Sequence, residues 1–256
     1  MEHILPEAIG NDDLILAGEV CDKCNQYFGS KIEQFVLEKT PLAFWRTFLG
    51  IRTKHGSLPN VNLSQPTKQK GTLPSTHRYH DDYIVKCHKD LSVSFDIKDY
   101  KCAEEIKEGK KKYLTFVFTP LVLHKLGRFF CKVGIELICL DDSKEARSRK
   151  YDAARRFARY GEFRGLWPIF HQTVGRIEDL VYYAPHPKGI AEKAFCYSYS
   201  LGTVAGKFDL LSLVTGTDHW MICLNNPFPT AEISQGLANK DLNILWYHPE
   251  SIRLKG

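Results

Sequence analysis

The chain has 256 residues, of which 43% are hydrophobic and 12% aromatic, enough to bury a sizeable core in one large domain or two smaller ones. A net charge of +5 and a pI near 8.7 make it mildly basic, compatible with nucleic acid but too weak to demand it. Charged residues interrupt the apolar runs: Glu2, His3, Glu7, Asp12 and Asp13 break any signal-peptide core, and Arg128, Lys132 and Glu136 break the long stretch from Tyr113 to Leu140, where a membrane span needs ~20 apolar residues. The expectation is a cytoplasmic protein without membrane segments.

In chain order, Glu2 to Leu5 is short and apolar enough for a strand, Pro6 and Gly10 punctuate a loop, and Leu14 to Val20 form a candidate second strand. A helix then begins around Asp22, because Tyr27, Phe28, Ile32, Phe35 and Val36 recur mostly at three- and four-residue steps. A second short helix through Phe44, Trp45 and Phe48 ends at Gly50. Residues 57–76, rich in Pro, Ser, Thr, Asn, Gln and Lys, have linker composition, which divides the chain into 1–56, a linker and 77–256. In the larger part, Tyr83 to Val85, Leu91 to Ile97 and Tyr113 to Phe118 read as strands. Leu121 to Leu140 is a helix with an apolar stripe of Leu123, Leu126, Phe130, Val133 and Leu137, and Ser143 to Tyr160 is a second, basic helix. The remainder reads as an antiparallel sheet: Val181 to Tyr183, Ala194 to Tyr199, Phe208 to Val214, Trp220 to Leu224 and Asn243 to Tyr247. The predicted class is α+β, a small N-terminal module followed by a helical and antiparallel-sheet domain.

On the basic helix, Arg149 and Arg156 project within roughly 20° of each other at ~100° per residue, a stripe suited to phosphates. Glu145 and Asp152 stand four residues before them, so a solvated face of i,i+4 pairs is the favoured reading. Eight cysteines, at 21, 24, 87, 102, 131, 139, 196 and 223, follow no regular framework and read as mostly buried free thiols in a reducing compartment. No glycine-rich phosphate loop and no internal repeat is present.

The chemistry is concentrated in the first thirty residues: Glu2-His3, then Pro6 and Gly10, then Cys21-Asp22-Lys23-Cys24-Asn25, then Tyr27-Phe28-Gly29-Ser30. This order resembles the zinc-knuckle variant of the HNH endonucleases over about the first sixty residues, and Gly50 to Pro59 is similar to the segment that follows in such proteins. The resemblance implies a ββα-metal fold in which His3 is the general base and Glu2 and Asn25 hold Mg²⁺ or Mn²⁺. It also implies that Cys21 and Cys24 are half of a four-thiolate zinc knuckle whose other half lies upstream of the Glu-His pair. No cysteine precedes Glu2, so the chain reads as truncated at its N-terminus and the zinc site as incomplete. Cys87, His88 and Cys102 lack knuckle spacing, and small buried residues at the helix start are the favoured reading of Cys21 and Cys24. The family's central Asn fastens the loop between the strands. Asn11, Asp12 and Asp13 are the nearby candidates, with Asn11 read as an ordinary turn residue. The expected function is metal-dependent hydrolysis of nucleic acid, DNA first. The alternative is a non-catalytic nucleic-acid- or protein-binding module.

Overall fold

The computed structural model describes residues 2–11, 13–48, 50–52, 56–62, 83–90, 92–111, 116, 118–162, 167–173, 197–204, 206–227 and 243–245. Strand β1 (Glu2–His3) pairs antiparallel with β2 (Ile15–Leu16), Glu2 opposite Leu16 and His3 opposite Ile15. Between them the chain makes one 3₁₀ turn at Glu7–Ile9, closed by Gly10 at φ 88°, whose N–H donates to Glu7 O. That left-handed backbone suits glycine, which has no Cβ to clash. Both strands are shorter than the apolar runs that announce them.

A continuous helical rod follows, starting at Asp22: α1 (Asp22–Phe28), a π-helical stretch over Gly29–Glu33, and α2 (Gln34–Lys39). Phe28, Ile32 and Val36, four residues apart, form its buried face. Thr40 ends it in an extended conformation, as the following Pro41 requires, and returns its hydroxyl to Val36 O at 2.7 Å. Helix α3 (Pro41–Phe48) turns back from there.

The long helix α5 (Pro120–Asp141) is the spine of the molecule. Thr119 caps it, accepting from Val122 N at 3.3 Å, and Pro120 supplies a first residue that needs no N–H partner. All five residues of its expected stripe are buried. The basic segment after it is not one helix. It breaks into α6 (Ser143–Ala146), a 3₁₀ turn at Arg149–Tyr151 and α7 (Asp152–Tyr160), because Ser148 is extended and the turn carries Tyr151 inward to donate to Asp209 Oδ2 at 2.8 Å.

Two antiparallel sheets flank these helices. The smaller has the order β3 (Asn60–Asn62), β4 (Tyr83–Cys87), β5 (Val93–Ile97), with α4 (Tyr100–Lys107) following. The larger has the order β10 (Asn243–Leu245), β6 (Ile169–Thr173), β9 (Asp218–Cys223), β8 (Phe208–Thr215), β7 (Ser198–Val204). Sequence patterning did not announce β3 or β6, and β3 falls inside the stretch read as a linker. The strand expected over 181–183 and most of that over 113–118 lie outside the described residues.

One core cluster runs from Ile4 and Leu5 through α2 and α5 to Trp220, Ile222 and Leu224. The described residues between Ile4 and Leu42 are therefore packed onto the rest of the chain and share its core. Trp45 on α3 adds a polar tie, its indole N–H donating to Asp218 Oδ2 at 2.7 Å while Asp218 Oδ1 meets His171 Nε2 at 2.7 Å. No helix among the described residues is long and apolar enough to cross a membrane.

Candidate functional site

The two residues of β1 point to opposite sides, as neighbours in a strand must. His3 stays partly accessible. Its Nε2 lies 3.0 Å from Glu7 Oε1 on the 3₁₀ turn, with 29% of the imidazole side chain and 54% of the Glu7 side chain exposed. If Nε2 carries the proton donated to that carboxylate, Nδ1 holds the lone pair. Nδ1 is enclosed and has no hydrogen-bond partner among the described residues, so it is an acceptor not used by the fold.

The loop that presents His3 is fastened by Asn11. Its side-chain amide donates to Leu5 O at 2.6 Å and Leu14 O at 3.1 Å, and its Oδ1 accepts from Asp13 N, Leu14 N and the Tyr197 hydroxyl at 3.2, 2.9 and 3.1 Å. At 1% exposure it is a buried staple, which corrects the reading of Asn11 as an ordinary turn residue. A short polar side chain that satisfies backbone groups on both limbs of a loop is what a buried turn needs.

Glu2 faces inward and is 4% exposed. Its Oε1 lies 2.8 Å from Lys132 Nζ, and the same ammonium lies 2.8 Å from Glu33 Oε1 and 3.0 Å from Glu136 Oε2. Lys132 Nζ also donates to His3 O and Ile4 O, both at 3.1 Å. Burial pushes the Glu136 carboxyl up to about 8, against the pull of Lys132, and burial likewise raises Glu33. Burial alone would lower the Lys132 ammonium, but the three carboxylates outweigh it and hold it above its ordinary value. Lys132 was outside the set of candidate site residues. Its signal in the sequence is the row Arg128, Lys132, Glu136, three charges at four-residue steps inside the most apolar helix, all three buried.

Asn25 is half-buried in the first turn of α1, its N–H donating to Cys21 O at 3.0 Å. Cys21 is the exposed residue preceding the helix, its thiol held below the usual range chiefly by the Cys24 backbone N–H. Cys24 is half-buried, and the Arg159 guanidinium lies against it and 3.9 Å over the Tyr27 ring. The exposure of Cys21 corrects the expectation that it is a buried packing residue, whereas Cys24 does pack against the core. A cavity of about 390 Å³ opens beside them, lined by Leu16, Phe28, Cys139 and Arg159 among others. Cys87 and Cys102 are buried on β4 and α4. Among the described residues no group of three or more His, Cys, Asp or Glu side chains is arranged to hold a metal ion.

The strand, fastened loop, strand and helix, with Glu2-His3 at the start and Cys-x-x-Cys-Asn at the helix, set the comparison with known proteins. Residues 1–40 match the HNH endonuclease family. No curated protein and no solved structure matches the chain. Within the matched segment, the divalent ion that the resemblance puts on Glu2 does not fit the geometry. The carboxylate is buried, and an ammonium already stands at hydrogen-bond distance from it.

The basic helix pairs differently from the i,i+4 pattern expected. Asp152 bonds Arg155, Arg156 reaches Glu162 at 2.7 Å, and Glu145 takes Lys150 at 3.3 Å. The break before α7 separates Glu145 from Arg149, while inside α7 Asp152 takes the i,i+3 partner Arg155.

Proposed function

We propose that the chain is an HNH-type endonuclease acting on nucleic acid, with His3 as the general base. The observation that carries this reading is the His3 imidazole, oriented through Nε2 by Glu7, with Nδ1 unspent, inside the segment matched by the family. In this mechanism substrate binding opens Nδ1, enclosed in the free protein, to a water from which it takes a proton as that water's oxygen bonds to phosphorus and the bond to the leaving oxygen breaks. Asn11 and Lys132 hold the backbone on either side of that imidazole. Described cysteines all being free thiols supports a reducing compartment such as the cytoplasm.

The test is nicking of supercoiled DNA plasmid by the full chain with EDTA, Mg²⁺ or Mn²⁺, beside His3→Ala. A loss of about 10²- to 10⁴-fold in the variant is expected for removal of a general base. A variant that cuts as well as its parent would refute the assignment. A second reading, a non-catalytic nucleic-acid- or protein-binding module, is favoured by one observation, the commitment of Glu2 to Lys132. If the chain is inert on single- and double-stranded substrates with every ion, this second reading replaces the first, and salt-dependent gel shifts then separate nucleic acid from protein as its partner.

A further inference from the structure

We propose that the Lys132 ammonium is the resident cation of this module: it fills the seat beside Glu2 that a divalent ion would take, and makes Glu2 a structural anchor instead of a metal ligand. The seat is named by the HNH reading of residues 1–40, but what fills it follows from geometry alone.

Five oxygens surround Lys132 Nζ: carboxylate oxygens of Glu2, Glu33 and Glu136 at 2.8, 2.8 and 3.0 Å, and carbonyls of His3 and Ile4 at 3.1 Å. Hard oxygens, carboxyl and carbonyl, are a cation's ligand set. Their spacing is that of N–H···O contacts, whereas Mg²⁺ needs about 2.0–2.1 Å and Ca²⁺ about 2.3–2.6 Å. Mg²⁺ would have to contract the cage by roughly 0.7 Å or more on every side, and Ca²⁺ by roughly 0.2 Å or more.

Nor can both cations share Glu2. The Lys132 and Glu2 side chains are 1% and 5% exposed, so the carboxylate has no open flank for a second ligand sphere, and two cations a few ångströms apart would repel in poorly screened surroundings. The lysine is fixed from behind. It belongs to the buried face of α5, and withdrawing it would leave Glu2, Glu33 and Glu136 without their cationic partner. Its two carbonyl contacts also anchor the backbone of His3, so the same ammonium positions the imidazole.

The experiment follows ion binding, not cutting, and so stands whether or not the chain is a nuclease. Free Mn²⁺ is measured by electron paramagnetic resonance, and Ca²⁺ uptake by calorimetry, for the wild-type chain, Glu2→Gln, Lys132→Met and the double variant. Wild type and Glu2→Gln are expected to bind either ion equally, with Glu2→Gln melting at lower temperature. Lys132→Met keeps the apolar stem but vacates the seat, and is expected to gain one equivalent of ion that the double variant loses. A wild-type Mn²⁺ or Ca²⁺ site abolished by Glu2→Gln overturns the proposal, as does a folded Lys132→Met chain that gains no ion. Should Lys132→Met fail to fold, equal binding by wild type and Glu2→Gln supports the proposal, and unequal binding overturns it.

Discussion

Replacing Asn11 with alanine removes five hydrogen bonds at once, but their costs differ with what each partner can do afterwards. Asp13 N is at an exposed residue and can turn to water, and Tyr197 is only partly buried. Leu14 O keeps the Ile4 N–H at 3.0 Å, but Leu5 O and Leu14 N lie against a side chain that is 1% exposed, so they lose this partner where water has little access. A buried group left unpaired costs about 1–3 kcal/mol, so two of them give about 2–6 kcal/mol, a large share of the roughly 5–15 kcal/mol that holds a domain together. Asn11→Asp separates bonding from shape. It retains an oxygen acceptor for Leu14 N and Asp13 N, but turns a second oxygen toward the carbonyls of Leu5 and Leu14, to which the amide donated. Its stability should recover as pH falls and the new carboxyl gains a proton to donate, whereas Asn11→Ala should show no such recovery. Urea unfolding at pH 4.5 and 7 is the assay, with midpoints compared at unchanged slope. An alanine variant that loses less than about 1 kcal/mol, or an aspartate variant equally destabilised at both pH values, would refute the staple.

Glu136 sets a pH dependence of the whole fold. Its carboxyl is pushed by burial from the ordinary 4.5 up to about 8, so the native state holds that proton more tightly than the unfolded chain. The contribution is therefore fully present below about 4.5 and is lost as pH rises toward 8, at most about 5 kcal/mol at about 1.4 kcal/mol per pH unit. Melting temperature should fall across that window, and Glu136→Gln should flatten the slope; a parallel curve for the variant would count against it. At the β8–β9 turn, Gly216 has φ 58° and a Cβ built there would stand 2.2 Å from Trp45 Cδ2. Gly216→Ala combines a left-handed backbone with overpacking and should cost about 2–4 kcal/mol. Thermal melts followed by tryptophan fluorescence would show it, and a melting temperature within a degree of wild type would argue that Trp45 moves aside freely.

The parts of this fold that short-range patterns encode were legible from the sequence. The helix start at Asp22, its end before Pro41 and the stripe of α5 follow from spacing and from residues whose backbone preferences are local. The break at Ser148 was not legible, because it serves a contact between Tyr151 and Asp209 that lies 58 residues away in sequence. Strand β3 was hidden by its polar composition, and it is held by pairing with β4, not by its own propensity. At the site, the His3 and Glu2 types were visible, but their surroundings were not: Lys132 reaches Glu2 and Tyr197 reaches Asn11 from distant segments. Charges inside α5 were read only as interruptions of a membrane span. Their four-residue periodicity was a buried charged seam in plain view.

Strand β1 has two residues and a single short partner strand, too little to persist on its own. What holds it is an ammonium 129 residues later in the chain. Closing a loop of that length costs about 4 kcal/mol in chain entropy, a sum met only when α5 is already docked on its sheet. In synthesis His3 is made well before Lys132, yet its geometry has to wait for α5, and each transient undocking of that helix releases it again. The imidazole is therefore in place for the fraction of time that the whole core is formed.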